Sequence, residues 1–132
     1  MKMTRSGEIS REGNLPSIDP KRGEIWWIDP DPTRGAEMSG KHMAVVIGSD
    51  MIRRLPLRLV AMITSWQSTF DRSYWHIKLI RSHMNGLKHD SAVDCLQIRA
   101  IDTIRFSKKC GSLSASELES VVTTIASVIE YT

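Results

Sequence analysis

Ser114-Ala115-Ser116-Glu117-Leu118-Glu119-Ser120-Val121-Val122-Thr123-Thr124-Ile125-Ala126-Ser127-Val128-Ile129 is the stretch in which the hydrophobic period of the chain changes. Leu118, Val121, Val122, Ile125, Val128 and Ile129 recur at helical spacing. Ser114-x-x-Glu117 has the form of a capping box, in which each side chain satisfies a backbone N–H of the other residue. A C-terminal amphipathic helix is predicted. Everything before it has the character of short strands and turns. Residues 24–29 are β-formers stopped by Pro30 and Pro32, which cannot donate to a ladder. Residues 43–47 and 58–64 are rich in β-branched side chains, and 74–80 alternate. Asn85-Gly86 is the strongest turn dipeptide, and residues 91–96 and 100–106 follow as two further strands. Six strands and one terminal helix predict a mainly β fold, a small barrel closed by a helix.

The 132 residues suffice for one domain with a sizeable core. Hydrophobic residues at 41% and charged residues at 25% exclude disorder, collagen and a disulfide-held mini-protein. The longest apolar runs have five residues, far short of the ~18 that span a bilayer, so no membrane is expected. Residues 1–20 are polar, carry Gly7, Gly13 and Pro16, and lack the apolar centre of a secretory signal. They are expected to be a flexible leader to one domain over 21–132, and the expected compartment is the cytoplasm. Cys95 and Cys110, fifteen apart and without a Cys-x-x-Cys partner, fit reduced thiols. The last twenty residues hold three glutamates and no base. Residues 1–112 therefore set eighteen bases against twelve acids, a net +6 that suits a polyanion partner.

No phosphate-binding loop, dinucleotide fingerprint, His-Glu-x-x-His or paired Cys-x-x-Cys is present, so nucleotide cofactors and zinc lose support. His76, His83 and His89 fit solvated or satisfied side chains better than a ligand set. The loop 31–42 holds Arg34, Lys41, His42 and two glycines. It reads either as a solvated turn or as a phosphate contact, because glycine lets backbone amides approach an anion closely. Thr64 and Ser65 end a strand and offer hydroxyls to a phosphoryl oxygen or to a local cap. Trp26, Trp27, Trp66 and Trp75 can stack bases, but adjacent tryptophans in a strand point to opposite faces, which assigns at least one of them to the core.

Arg22-Gly23-Glu24-Ile25-Trp26, Pro32-Thr33-Arg34-Gly35-x-Glu37 and Ala44-Val45-Val46-Ile47 resemble the opening of the MazF/PemK (Kid) toxins of bacterial toxin-antitoxin systems. Leu87-Lys88-His89-Asp90-Ser91 and Gln97-Ile98-Arg99-Ala100-Ile101-Asp102-x-x-Arg105 resemble that family's later signature, and the match runs over about residues 21–131. The resemblance implies an SH3-like barrel of the CcdB/PemK type, a homodimer, and a sequence-selective endoribonuclease for single-stranded RNA such as mRNA. It implies no metal or other cofactor, and neutralisation by a MazE/PemI-like antitoxin.

Carried over residue by residue, the family's catalytic threonine falls on Thr64. Its catalytic arginine falls on His42, and the following proline on Met43. Arg34, Lys41, Ser65, His76, Gln97 and Arg99 become the expected RNA contacts. An acidic residue often precedes the family's glutamine, whereas Leu96 precedes Gln97 here. Metal-free RNA cleavage uses the substrate's own 2′-OH and needs a base, an acid and donors on the phosphorane. It leaves a cyclic phosphate and a 5′-OH. Histidine can serve as base, acid or cation, whereas arginine is a fixed cation, so His42 is chemically admissible. A weakened member that only binds RNA or antitoxin is the alternative. A CcdB-like gyrase inhibitor is disfavoured, since that family acts through a Trp-Gly-Ile terminus and this chain ends Glu130-Tyr131-Thr132.

Overall fold

The run Leu57–Ser65 forms a strand at the centre of the sheet, because its β-branched and aliphatic residues bury on both faces. The computed structural model describes residues 18–29 and 42–131. In chain order these form β1 (Glu24–Ile28), β2 (His42–Val46), β3 (Leu57–Ser65), β4 (His76–Leu79), β5 (Ser91–Asp102), β6 (Phe106–Ser112) and α1 (Ala115–Val128). All pairings are antiparallel, in the order β4-β5-β3-β2-β1-β6. The sheet curls until the turn after β4 meets β6. There Ser112 N donates to Met84 O at 3.1 Å. Gly86 has φ +69°, and a Cβ on it would collide with the Cys110 carbonyl, so the Asn-Gly turn is needed both for its backbone angle and for this closure. Asn85 is buried and fully engaged: its amide donates to Ile80 O, and its Oδ1 accepts from Ser82 N and Leu87 N.

Alternation along the strands separates two cores. Ile25, Val45, Ala61, Ile63, Leu79, Val93 and Cys95 lie on the face beneath α1, which contributes Val121. Ile28, Ala44, Val46, Val60, Ile101 and Phe106 form the second core, with Trp26 edge-on to Phe106 at 5.8 Å. Trp26 is thus core-associated. The predicted cap of α1 is present in full: Glu117 N donates to Ser114 Oγ at 3.1 Å, and Ser114 N to Glu117 Oε1 at 2.8 Å. Burying Val121 alone contributes ~1.5–3 kcal/mol. The helix ends at Val128, so Ile129 leaves the apolar stripe and is 69% exposed.

The last two strands differ from their expected limits. Residues 91–96 and the start of 100–106 belong to one strand, β5, carried past the polar Gln97 and Arg99 by a bulge that moves the register from Ala61 opposite Ile98 to Met62 opposite Asp94. The break comes at Thr103–Arg105, a 3-10 turn started by Asp102, whose carboxylate accepts from Ile104 N. The sixth strand therefore runs from Phe106 to Ser112, on residues whose local pattern carries little hydrophobic alternation; pairing with β1 makes it a strand. Upstream, Pro20 is fully buried and its carbonyl accepts from the buried Arg58 at 2.8 Å, while Asp19 pairs with both Arg53 and Arg58. No helix among the described residues is long and apolar enough to cross a membrane.

Candidate active site

Two adjacent rows of side chains on one face of the sheet assemble the site. Pairing Ala44 with Met62, Met62 with Asp94 and Asp94 with His76 produces one row across β2, β3, β5 and β4. One strand-step pair further, Thr64 stands opposite Ala92, and Ala92 opposite Lys78. The β2–β3 ladder ends with Met43 opposite Ile63, and that register, carried one residue further, sets His42 level with Thr64. His42 also pairs with Ile28 on β1. Both His42 and Thr64 are exposed, at the end of the sheet.

His76 is held on three sides. Its Nδ1 shares a 2.6 Å hydrogen bond with Ser73 Oγ, and Phe70 stacks on its ring at 3.8 Å and 5°. Its Nε2 lies 3.7 Å from Asp94 Oδ2, with the two side chains only 11% and 14% exposed. The same Oδ2 accepts from Gln97 Nε2 at 2.9 Å, and Oδ1 from Leu96 N at 3.0 Å. A carboxylate only accepts, so this contact orients the Gln97 amide and leaves its Oε1 outward as an acceptor. Asp94 is the acid that the sequence pattern lacked directly before Gln97: the bulge takes Cys95, Leu96 and Gln97 out of the pairing with β3, which resumes at Ile98, and the Gln97 side chain reaches back to Asp94.

Gln97 and His76 therefore join the His42–Thr64 end of the sheet through Asp94. Arg99 lies on the same face opposite Val60, four residues from Thr64 along β3, or ~13 Å, so it serves a more distant part of any bound chain. Ser65 pairs with Ser91, and alternation turns it to the opposite face from Thr64. Arg34 and Lys41 lie outside the described residues. The end of β1 that leads toward them is fixed by Arg105, whose Nε and Nη2 donate to Asp29 O at 3.2 and 3.0 Å.

Asp94, Phe70, Ser73 and Lys78 were not identified from the sequence as site residues. Only Lys78, at the alternating position two after His76, carried a local signal. A concavity of about 290 Å³ lies between Arg22 and the Ala115–Thr123 part of α1, and neither His42 nor Thr64 lines it. Among the described residues no group of three or more His, Cys, Asp or Glu is placed to hold a metal ion.

The family model for PemK-like, MazF-like toxins of type II toxin-antitoxin systems matches residues 21–129. The chain is similar to Endoribonuclease MazF9 of Mycobacterium tuberculosis, with 35% identity over 101 residues, 74% of this chain and 86% of the relative. It is similar to Endoribonuclease EndoA of Bacillus subtilis, with 31% identity over 102 residues, 76% and 86% of the two chains. The fold matches a crystal structure of MazE-MazF from Deinococcus radiodurans with a TM-score of 0.71 at 19% identity, over 88% of this chain and 100% of that one. It also matches an endoribonuclease in complex with its cognate antitoxin from Mycobacterial species, with a TM-score of 0.67 at 12% identity, over 86% and 97%. With the family model matching most of the chain and two relatives above 30% identity that bear the name endoribonuclease, this chain belongs to the MazF/PemK-like endoribonuclease toxins of type II toxin-antitoxin systems.

Proposed function

We propose that this protein cuts single-stranded RNA, mRNA included, without a metal ion, through attack of the substrate's 2′-OH on the adjacent phosphate. The observation that carries the reading is the β2–β3 register, which ends with Met43 opposite Ile63 and so sets the next residues, the exposed His42 and Thr64, level with each other at the sheet end that holds the His76–Asp94–Gln97 cluster. His42 supplies the cation or proton carrier and the Thr64 hydroxyl a donor to the phosphorane. Gln97, His76 and Arg99 face the strand, with Arg34 and Lys41 as further contacts; Ser65, turned to the other face, is left out of this set. The bond from phosphorus to the 5′ oxygen breaks as the 2′ oxygen bonds to phosphorus, leaving a 2′,3′-cyclic phosphate and a 5′-OH. The acting form is a homodimer of a domain over residues 21–132, to which Asp19 and Pro20, at the end of the leader 1–20, are pinned by Arg53 and Arg58. A MazE/PemI-like antitoxin with an acidic segment covers the basic toxin; the similar structures of MazE-MazF, and of an endoribonuclease in complex with its cognate antitoxin, support this.

The test is incubation with long single-stranded RNA and the matching DNA in excess EDTA. RNA is cut and DNA, which lacks the 2′-OH, survives. Loss of cleavage in EDTA that magnesium restores refutes the mechanism. His42→Ala lowers single-turnover cleavage ~10²-fold or more, the scale of one transition-state donor. His42→Arg, which keeps a cation at this position, retains cleavage if His42 acts through its charge; an unchanged rate in His42→Ala removes His42 from the site.

A further inference from the structure

Of the four tryptophans, Trp66 is the one beside the candidate cleavage point. It follows directly on Ser65, and the ladder continues through it, Trp66 N donating to Asp90 O at 3.1 Å. By alternation its indole shares the face of Thr64, two residues or ~6.6 Å further along the strand. Lys78 belongs to the row of Thr64, separated from it by Ala92, which has no side chain beyond Cβ to obstruct a crossing. Its ammonium lies over the Trp66 ring, 4.8 Å from the centroid. Phe70 meets the same ring edge-on at 5.5 Å and 81°, and stacks in turn on His76. The indole is thus braced from the His76 side, is only partly buried, and its N–H has no acceptor among the described residues. Trp26, by contrast, donates to Glu24, and Trp75 packs on the core beneath α1.

Resting on the ribonuclease reading above, we propose that Trp66 is a stacking subsite for the base of the nucleotide next to the scissile phosphate, with Lys78 as the cation for that nucleotide's phosphate. In the free protein the ammonium covers the indole in a cation–π contact, which is weak at an exposed site. A phosphate accepts a shorter, charge-assisted hydrogen bond from the same ammonium. The lysine moves from ring to phosphate and a base takes its place. Stacking uses the π-face that every base possesses, so the subsite tolerates all four, with purines favoured because they cover more of the indole.

The test uses an RNA strand spanning the mapped cut and made uncleavable by a 2′-deoxy residue there, with versions abasic at each flanking position. Affinity is read by anisotropy and tryptophan emission for wild type, Trp66→Ala, Trp66→Phe and Lys78→Gln. Trp66→Ala weakens binding on the order of 10-fold. One abasic position weakens wild type to a similar extent and weakens Trp66→Ala no further. Strand binding quenches wild-type emission, and Trp66→Phe, which keeps a ring against Phe70, loses that quenching even if the alanine variant fails to fold. Lys78→Gln reduces the salt slope of binding by about one.

Wild-type affinity in a folded Trp66→Ala, losses that add at every abasic position, or full quenching retained in Trp66→Phe overturns the subsite. Wild-type protein that neither binds nor cuts single-stranded RNA refutes the ribonuclease reading itself, and the subsite with it. That failure is distinguishable because the subsite's own failure leaves wild-type cleavage intact.

Discussion

Asp94→Ala removes the group on which one half of the site is built. Its carboxylate accepts from Leu96 N at 3.0 Å and Gln97 Nε2 at 2.9 Å, and faces His76 Nε2 at 3.7 Å. Hydrogen bonds to a charged acceptor are worth more than average, but Leu96 and Gln97 are exposed and water replaces much of what is lost. The substitution therefore costs about 1–2 kcal/mol, or ~3–8 °C in thermal midpoint for a domain of this size. The functional loss is larger in proportion, because Gln97 and His76 lose their common anchor. RNA cleavage should fall ~10-fold or more, since misplacing binding groups by even 1 Å has effects of this order.

Asp94→Asn separates the two effects. The asparagine oxygen still accepts from Leu96 N, so the melting point returns close to wild type. Its amino group now faces Gln97, which turns its own amide to accept, presenting NH₂ outward where Oε1 stood. A donor replaces an acceptor on the RNA-facing side. Mapping 5′ ends on a long RNA should then show altered preference among cut sites, alongside circular-dichroism melts. Wild-type rates in Asp94→Ala together with an unchanged cut pattern in Asp94→Asn would refute the proposed anchoring of Gln97 by Asp94.

Arg58 is 4% exposed and donates to the carbonyls of Pro20, Leu55 and Leu57 as well as to Asp19. Arg58→Met should destabilise by about 3–5 kcal/mol in urea titration, and an unchanged midpoint would contradict this. Burial alone would raise the Glu24 carboxyl, yet hydrogen bonds from Lys21 N, Trp26 Nε1 and Lys109 hold it below its ordinary 4.5. Burial likewise opposes Asp19, which Arg53 and Arg58 hold below 3.8. Both carboxyls are depressed in the folded state, so their stabilisation is present above those values and is lost as pH falls through the lower folded ones. Glu24→Gln should flatten stability against pH on the acid side of 4.5, measured as urea midpoints from pH 6 to 3. Burial, helped by the Asp94 charge, pushes the Cys95 thiol up to about 11. At pH 8 Cys95 should be alkylated only at the rate of unfolding, and stability should decline from pH 9 upward as the unfolded thiol ionises first. Rapid native-state labelling of Cys95 by mass spectrometry would contradict it.

Much of this protein is legible without coordinates. The helix start at Ser114 follows from a capping box spanning four residues, and the Asn85-Gly86 turn from the one dipeptide that meets its backbone needs. The central strands follow from β-branched content, and Thr64 becomes a candidate from its place in a family pattern. These are local signals, complete within a few residues. The limits of β5 and β6 were not local. Nothing in Gln97-Ile98-Arg99 announces a bulge rather than a break, and Phe106–Ser112 becomes a strand because β1 lies beside it.

The site divides in the same way. Sequence determined the residue types and identified His42, Thr64, His76, Gln97 and Arg99 as candidates. Tertiary pairing decided their company: Asp94 joined to His76 and Gln97, Ser65 turned to the other face, and Lys78 laid over Trp66. The physical reason is register. A one-residue shift between strands exchanges the faces of every side chain, and the shift at Ala61/Met62 is set by packing between strands about thirty residues apart in the chain, not by spacing within either strand.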